Sequence, residues 1–121
     1  MTASKGLIPE GFAAEWIAAW NAHDLDRILA HYAEDAVFRS PIAAELTGAG
    51  IVEGKAALRA YWTMGLDRSP DLQFELETIL LGSGAITLLY RNHRGQRVAE
   101  TCEFDQAGRV IRSVACYASL P

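Results

Sequence analysis

The chain has 121 residues, half of them hydrophobic, which is enough for one domain and one core but not two. A net charge of -4, with 11 lysines and arginines scattered rather than striped, argues against a nucleic-acid partner. No apolar run approaches the roughly 20 residues of a membrane span, and the opening MTASKGLIPEGF has no apolar stretch of the kind a secretory signal needs, so a cytoplasmic address is expected.

The first helix is expected from about Glu10 to Ala22, because Phe12, Trp16 and Trp20 recur at i, i+4 and i+8 with Ala19 beside them. Asn21-Ala-His-Asp24 breaks it, and Asp24 is placed to cap a second short helix on which Leu25, Ile28, Leu29 and Tyr32 share a face. Ala36 to Ser40 reads as a strand, with Phe38 and Ser40 on one face and Val37 and Arg39 on the other, stopped by Pro41. Residues 42–50 read as a loop or a short turn of helix, and Ile51-Val-Glu53 as a brief strand. Lys55 to Asp67 is a third main helix carrying Leu58, Tyr61, Trp62 and Leu66, closed by Ser69-Pro70.

From there the period changes to two. Leu72, Phe74 and Leu76 alternate with polar residues as in a half-buried strand. Gly82-Ser-Gly84, Asn92-His-Arg-Gly95 and Asp105-Gln-Ala-Gly108 separate three further strands: Ala85–Arg91, Gln96–Phe104 and Arg109–Tyr117. Helices followed by an antiparallel meander make an α+β domain.

Counting across the turns assigns faces. Pairing Phe104 with Arg109 sets Glu100 opposite Ser113 and Cys102 opposite Ile111. Val98, Glu100, Cys102 and Phe104 then share an apolar, concave face with Ile111, Ser113, Ala115 and Tyr117. A three-residue loop with a left-handed Gly95 pairs Asn92 with Gln96, which adds Ile86, Leu88 and Tyr90 to that face. Glu100 is therefore an acid in an apolar stripe. Burial disfavours its charged form, and an acid tuned toward neutrality can give or take a proton. It could also simply pair with an arginine or a backbone group.

The two cysteines, Cys102 and Cys116, fall on opposite faces and cannot bridge. Neither they nor His23, His31 and His93 match a metal-ligand spacing, and there is no GxGxxG or P-loop, so no metal or other cofactor is expected. His31 is expected to be exposed, His23 to lie in the interhelical break and His93 at a hairpin tip. Trp20 is read as core. The outer sheet face, with Val110, Val114, Cys116 and the diagonal pair Glu103 and Arg112, suits a two-fold contact between copies.

Three segments, WIAAWNAHDLDRILAHYAEDAVF, GKAALRAYW and ETCEFDQAGRV, carry a resemblance over nearly the whole chain. It is similar to the nuclear transport factor 2-like superfamily, on its SnoaL-like and ketosteroid isomerase-like side. The resemblance implies one domain over residues 1–121: a cone-shaped curved antiparallel sheet wrapped around N-terminal helices, with an internal pocket, commonly a homodimer. Isomerases, polyketide cyclases, epoxide hydrolases and dehydratases share it. The isomerases pair an aspartate base with a tyrosine and a protonated aspartic acid. The matching positions here are Ser40, Trp16 and Glu100, so one of the three chemical groups is kept and steroid isomerisation is not implied. What remains is an acid/base role for Glu100 on a small apolar or aromatic molecule, with Trp16, Phe38, Ser40, Trp62, Leu88, Tyr90, Ser113 and Tyr117 as its walls. The alternative is a non-catalytic ligand-binding or dimeric interaction module.

Overall fold

A computed structural model describes residues 7–119; the first half of the stretch read above for a secretory signal lies outside them. The chain runs α1 (Phe12–Asn21), α2 (Leu25–Leu29), β1 (Tyr32–Arg39), α3 (Pro41–Thr47), β2 (Ile51–Glu53), α4 (Lys55–Arg68), β3 (Glu75–Gly82), β4 (Ala85–Arg91), β5 (Arg97–Phe104) and β6 (Val110–Tyr117). The six strands form one curved, unclosed sheet in the order β2-β1-β6-β5-β4-β3. Every neighbouring pair is antiparallel except β1 and β6, which run parallel. The helices pack into the concave side. None of the described helices is long and apolar enough to cross a membrane.

Local chemistry sets the helix boundaries. The Asp24 carboxylate accepts the Arg27 N–H at 3.2 Å and starts α2. Ser40 Oγ accepts the Ile42 N–H at 3.1 Å and starts α3, with Pro41 in the first turn, where its missing N–H costs nothing. The stretch read as a loop or turn of helix is thus a seven-residue helix. On α1, Phe12, Ala13, Trp16, Ala19 and Trp20 are all buried. They meet Leu58, Tyr61 and Trp62 of α4 and the inner sheet residues in a single core.

Three expectations are corrected. Tyr32 does not extend α2: the short helix ends at Leu29, and Tyr32 opens β1, fully buried. Leu72 and Phe74 precede β3, because the Asn21 side chain takes both backbone groups of Phe74. Asn21 Nδ2 donates to the Phe74 carbonyl at 2.9 Å, and its Oδ1 accepts the Phe74 N–H at 2.7 Å. His23, in the interhelical break, donates from Nε2 to the Leu72 carbonyl at 2.9 Å.

The third correction is the β5–β6 register. Asp105 N–H bonds to the Arg109 carbonyl at 2.8 Å, so Asp105, not Phe104, pairs with Arg109. Phe104 then faces Val110, and a bulge at Ile111 brings Glu103 opposite Arg112, Cys102 opposite Ser113 and Glu100 opposite Ala115. Beyond the bulge the pairing is two residues from the expected one. An even shift preserves sidedness, so Glu100, Cys102, Ser113, Ala115 and Tyr117 still face inward. Before the bulge the faces exchange: Val110, expected outside, is fully buried, and Ile111 is only half-buried. The β4–β5 register is as counted, with Leu88 opposite Glu100 and Tyr90 opposite Val98.

Candidate active site

Between the helices and the concave face lies a cavity of about 340 Å³, within the range of small-molecule sites. Its depth is aromatic. Trp16 and Trp20 from α1 and Trp62 from α4 line it together with Phe38, Phe74 and Tyr90. The rings meet edge-on or tilted, as at the Trp20–Trp62 contact (5.2 Å between centroids, 80° between planes) and the Phe74–Tyr90 contact (4.4 Å, 35°).

Glu100 sits in this wall, 4% exposed. Tyr90, on the neighbouring strand, donates its O–H to Glu100 Oε1 at 3.0 Å. No cation pairs with the carboxyl among the described residues, and its second oxygen has no hydrogen-bond partner there. Burial, only partly offset by the Tyr90 hydrogen bond, pushes the Glu100 carboxyl up to about 7. The arginine pairing left open by the sequence is therefore not made. Glu100 in turn acts on the phenols around it. Tyr90, Tyr61 and Tyr117 are all raised, by burial first and by the nearby carboxylate second. Ser40, beside Tyr61 and Tyr117, opposes that rise.

Of the residues singled out from the sequence, Glu100, Trp16, Phe38, Ser40, Trp62, Tyr90 and Tyr117 come together around the cavity. Leu88 and Ser113 do not. Leu88 is fully buried on β4, and Ser113 Oγ is buried without a hydrogen-bond partner. Both are buried on the inner face as counted, but neither lines the cavity. Two of the three positions matched by resemblance are tied to structural work. Trp16 Nε1 donates to the Tyr32 hydroxyl at 3.0 Å, and Ser40 caps α3. The single N–H of Trp16 is thereby used, whereas the Ser40 hydroxyl, an acceptor in its cap, keeps its own proton to donate.

Several wall residues escaped sequence reasoning. Trp20 belongs to the core, as read, and also lines the cavity, as does Tyr61, next to Trp62. Ile42 and Leu46 of α3 cover one side, which an apolar i, i+4 pair after a capping serine could have signalled. His93, placed at a hairpin tip, also reaches the wall, beside Arg94 and near Arg68. His31, expected to be exposed, is half-buried edge-on against Phe12 at 5.3 Å, and burial lowers its pKa. Both cysteines are free, with Cys102 buried inside and Cys116 exposed outside.

A family model described as a SnoaL-like domain matches residues 13–116. Comparison with curated proteins finds no match. Among solved structures the chain is similar to a SnoaL-like protein of unknown function from Burkholderia thailandensis, at 39% identity and a TM-score of 0.88, covering 91% of this chain and 93% of that one. It shares its fold with AclR of Streptomyces galilaeus, provisionally named a hydroxylase, at 23% identity and a TM-score of 0.69, covering 89% and 86%. It also shares its fold with SalBIII, an epoxide hydrolase/cyclase-like enzyme with a role in pyran ring formation in the polyether salinomycin. That match has 16% identity and a TM-score of 0.69, covering 90% and 89%.

Proposed function

The chain belongs to the SnoaL-like family, and on that premise we propose that it binds a small apolar or aromatic molecule in its cavity and acts on it by acid–base chemistry at Glu100. One observation carries the reading: a carboxyl buried in an aromatic wall, held on one oxygen by Tyr90, unpaired with any cation among the described residues and pushed up to about 7. An acid poised there populates both protonation states near neutral pH. The protonated form can give its proton to a carbonyl or ether oxygen of the substrate. The carboxylate can take one from an acidic C–H or from a hydroxyl. A single group can therefore move a proton out and back, which is the common need of an isomerase, a cyclase or an epoxide-opening hydrolase. The aromatic walls would hold the reacting atoms and keep water out. SalBIII, with the same fold, has a role in ring formation, which supports this class of reaction.

The second reading is ligand binding without turnover, favoured by the engagement of the Trp16 N–H in a structural hydrogen bond to Tyr32. Screening aromatic and polyketide-like compounds by thermal shift, then following product by mass spectrometry, separates the two. The expected result is turnover of a stabilising compound by the wild type and a loss of 100-fold or more in Glu100→Gln, whose fold is kept. Full activity in that variant overturns the acid–base assignment, and stabilisation without any product supports the second reading. We also propose that two copies pair across the outer face of the sheet.

A further inference from the structure

The cavity is not uniform from depth to mouth. The exposed residues of its lining are Arg68 at the C-terminal end of α4, Arg94 in the turn joining β4 to β5 and Glu45 on α3, and they mark its mouth. His93 Nε2 stands 3.7 Å from Asp71 Oδ1, so the hairpin tip lies against the segment after α4. Five of the chain's nine arginines are paired with carboxylates. Arg68 and Arg94 are not: among the described residues neither guanidinium has a carboxylate within 4.0 Å or a hydrogen-bond acceptor. Two unpaired cations at one cavity mouth are unexpected on a chain of net charge -4. The general field of the molecule does not account for them. The opposing charges are two exposed carboxylates, Glu45 on the α3 side of the same lining and Asp71, whose Oδ1 lies 3.7 Å from His93 Nε2.

We propose that the ligand is an amphiphilic anion, a planar or polycyclic apolar body ending in a carboxylate or similar singly charged group, with the body against the aromatic wall and the anion between Arg68 and Arg94. The inference rests on the reading of the cavity as a ligand site and adds the class of ligand. Guanidinium groups suit the task, since they offer a planar fork of donors to two oxygens at once. Placing the anion at the wet mouth also keeps it away from Glu100, whose carboxylate form would repel it at depth.

A matched pair of fluorescent probes tests this: 1-anilinonaphthalene-8-sulfonate and N-phenyl-1-naphthylamine, which differ only by the sulfonate. In the wild type the anionic probe is expected to bind with a Kd about tenfold lower than the neutral one, and each probe to displace the other. In the folded double variant Arg68→Gln/Arg94→Gln the ratio is expected to fall to about one while the neutral probe binds as before. The wild-type preference is expected to shrink in concentrated salt. Equal binding of the two probes in the wild type overturns the inference and leaves the cavity reading standing, as does a ratio that survives the double substitution. An anionic probe that the neutral one cannot displace also overturns it, because the anion then sits elsewhere. If neither probe binds, the cavity reading fails and this inference with it.

Discussion

Glu100 joins two properties that are measured separately, the acidity of a site and the stability of the fold. Its carboxyl titrates at about 7 in the folded chain against an ordinary 4.5. Between those values the folded state holds a proton that the unfolded chain has released, so stability falls as pH rises from about 4.5 through 7 and then levels. The shift corresponds to about 3 kcal/mol over the whole window. Urea denaturation at steps from pH 5 to pH 8 is expected to show this decline in the wild type and a flatter profile in Glu100→Gln. His31 works the other way. Its pKa is lowered by burial, so its contribution is complete above 6.5 and is lost as pH falls. The difference between wild type and variant isolates the Glu100 part, and identical slopes in the two would show that the carboxyl is already ionised at pH 5. Tyr90 gives a second test at the same scale. Its hydrogen bond favours the ionised acid, so Tyr90→Phe is expected to move the Glu100 titration further upward. Carbon-13 NMR of the labelled carboxyl reads the shift directly, and a downward movement would mean that Tyr90 favours the neutral acid instead.

At the scale of elements the two hairpins that share β5 turn on one device. Asn92 and Asp105 each begin a three-residue loop that ends in a left-handed glycine, Gly95 or Gly108, both at φ 78°. Asn92 Oδ1 accepts the backbone N–H of Arg94 and Gln96, and Asp105 Oδ1 accepts those of Ala107 and Arg109, all at 2.9–3.0 Å. An alanine at either glycine is expected to cost about 1–2 kcal/mol in urea denaturation, because a Cβ is disfavoured in that conformation. Gly108→Ala should be the worse of the two. Its Cβ would stand 3.4 Å from Pro9 Cγ, while a Cβ at Gly95 meets nothing within 4 Å. Asparagine at either position should cost less than alanine. Equal losses at the two sites would show that Pro9 yields freely.

That shared device also explains what could be read from residues alone. The Asn92 turn was counted as a three-residue loop, and its register is the observed one. The Asp105 turn has the same pattern, but pairing Phe104 with Arg109 misses its three-residue loop, and no sequence signal marks the bulge at Ile111. Alternation survives an even shift, which is why Glu100 was still placed inward while Val110 was not. The cavity mouth was illegible for a different reason. Arg68, His93 and Arg94 lie in a helix end and a hairpin tip, where no periodicity assigns a direction, and only the fold brings those segments together.

At the scale of the molecule, the concave side is filled or lined by aromatic side chains, and among the described residues the convex side has no such cover. Across β4, β5 and β6 its centre is the block Thr87–Thr101–Val114 beside Leu89–Ala99–Cys116, all small or apolar. Val114 is 37% exposed, and Leu80, next to Thr87 on β3, is 57% exposed. Arg97 and Arg91, paired to Glu77, edge the block on one side, and the Glu103–Arg112 pair edges it on another. An apolar centre with a charged rim is the usual anatomy of a contact between proteins, and a patch of this kind can meet its own copy about a two-fold axis. Burying it would remove Val114, Leu89 and Leu80 from water without unpairing any rim charge. Sedimentation velocity is expected to show twice the chain mass for the wild type. A double Leu80→Glu/Val114→Glu variant is expected to run as a folded monomer, since two like charges per copy would have to be desolvated at the contact. The same variant should keep its probe binding in the cavity, which lies on the opposite face of the sheet. A wild type that stays monomeric at all concentrations removes the outer face as a self-contact, and a dimer unchanged by both glutamates places the contact elsewhere on the molecule.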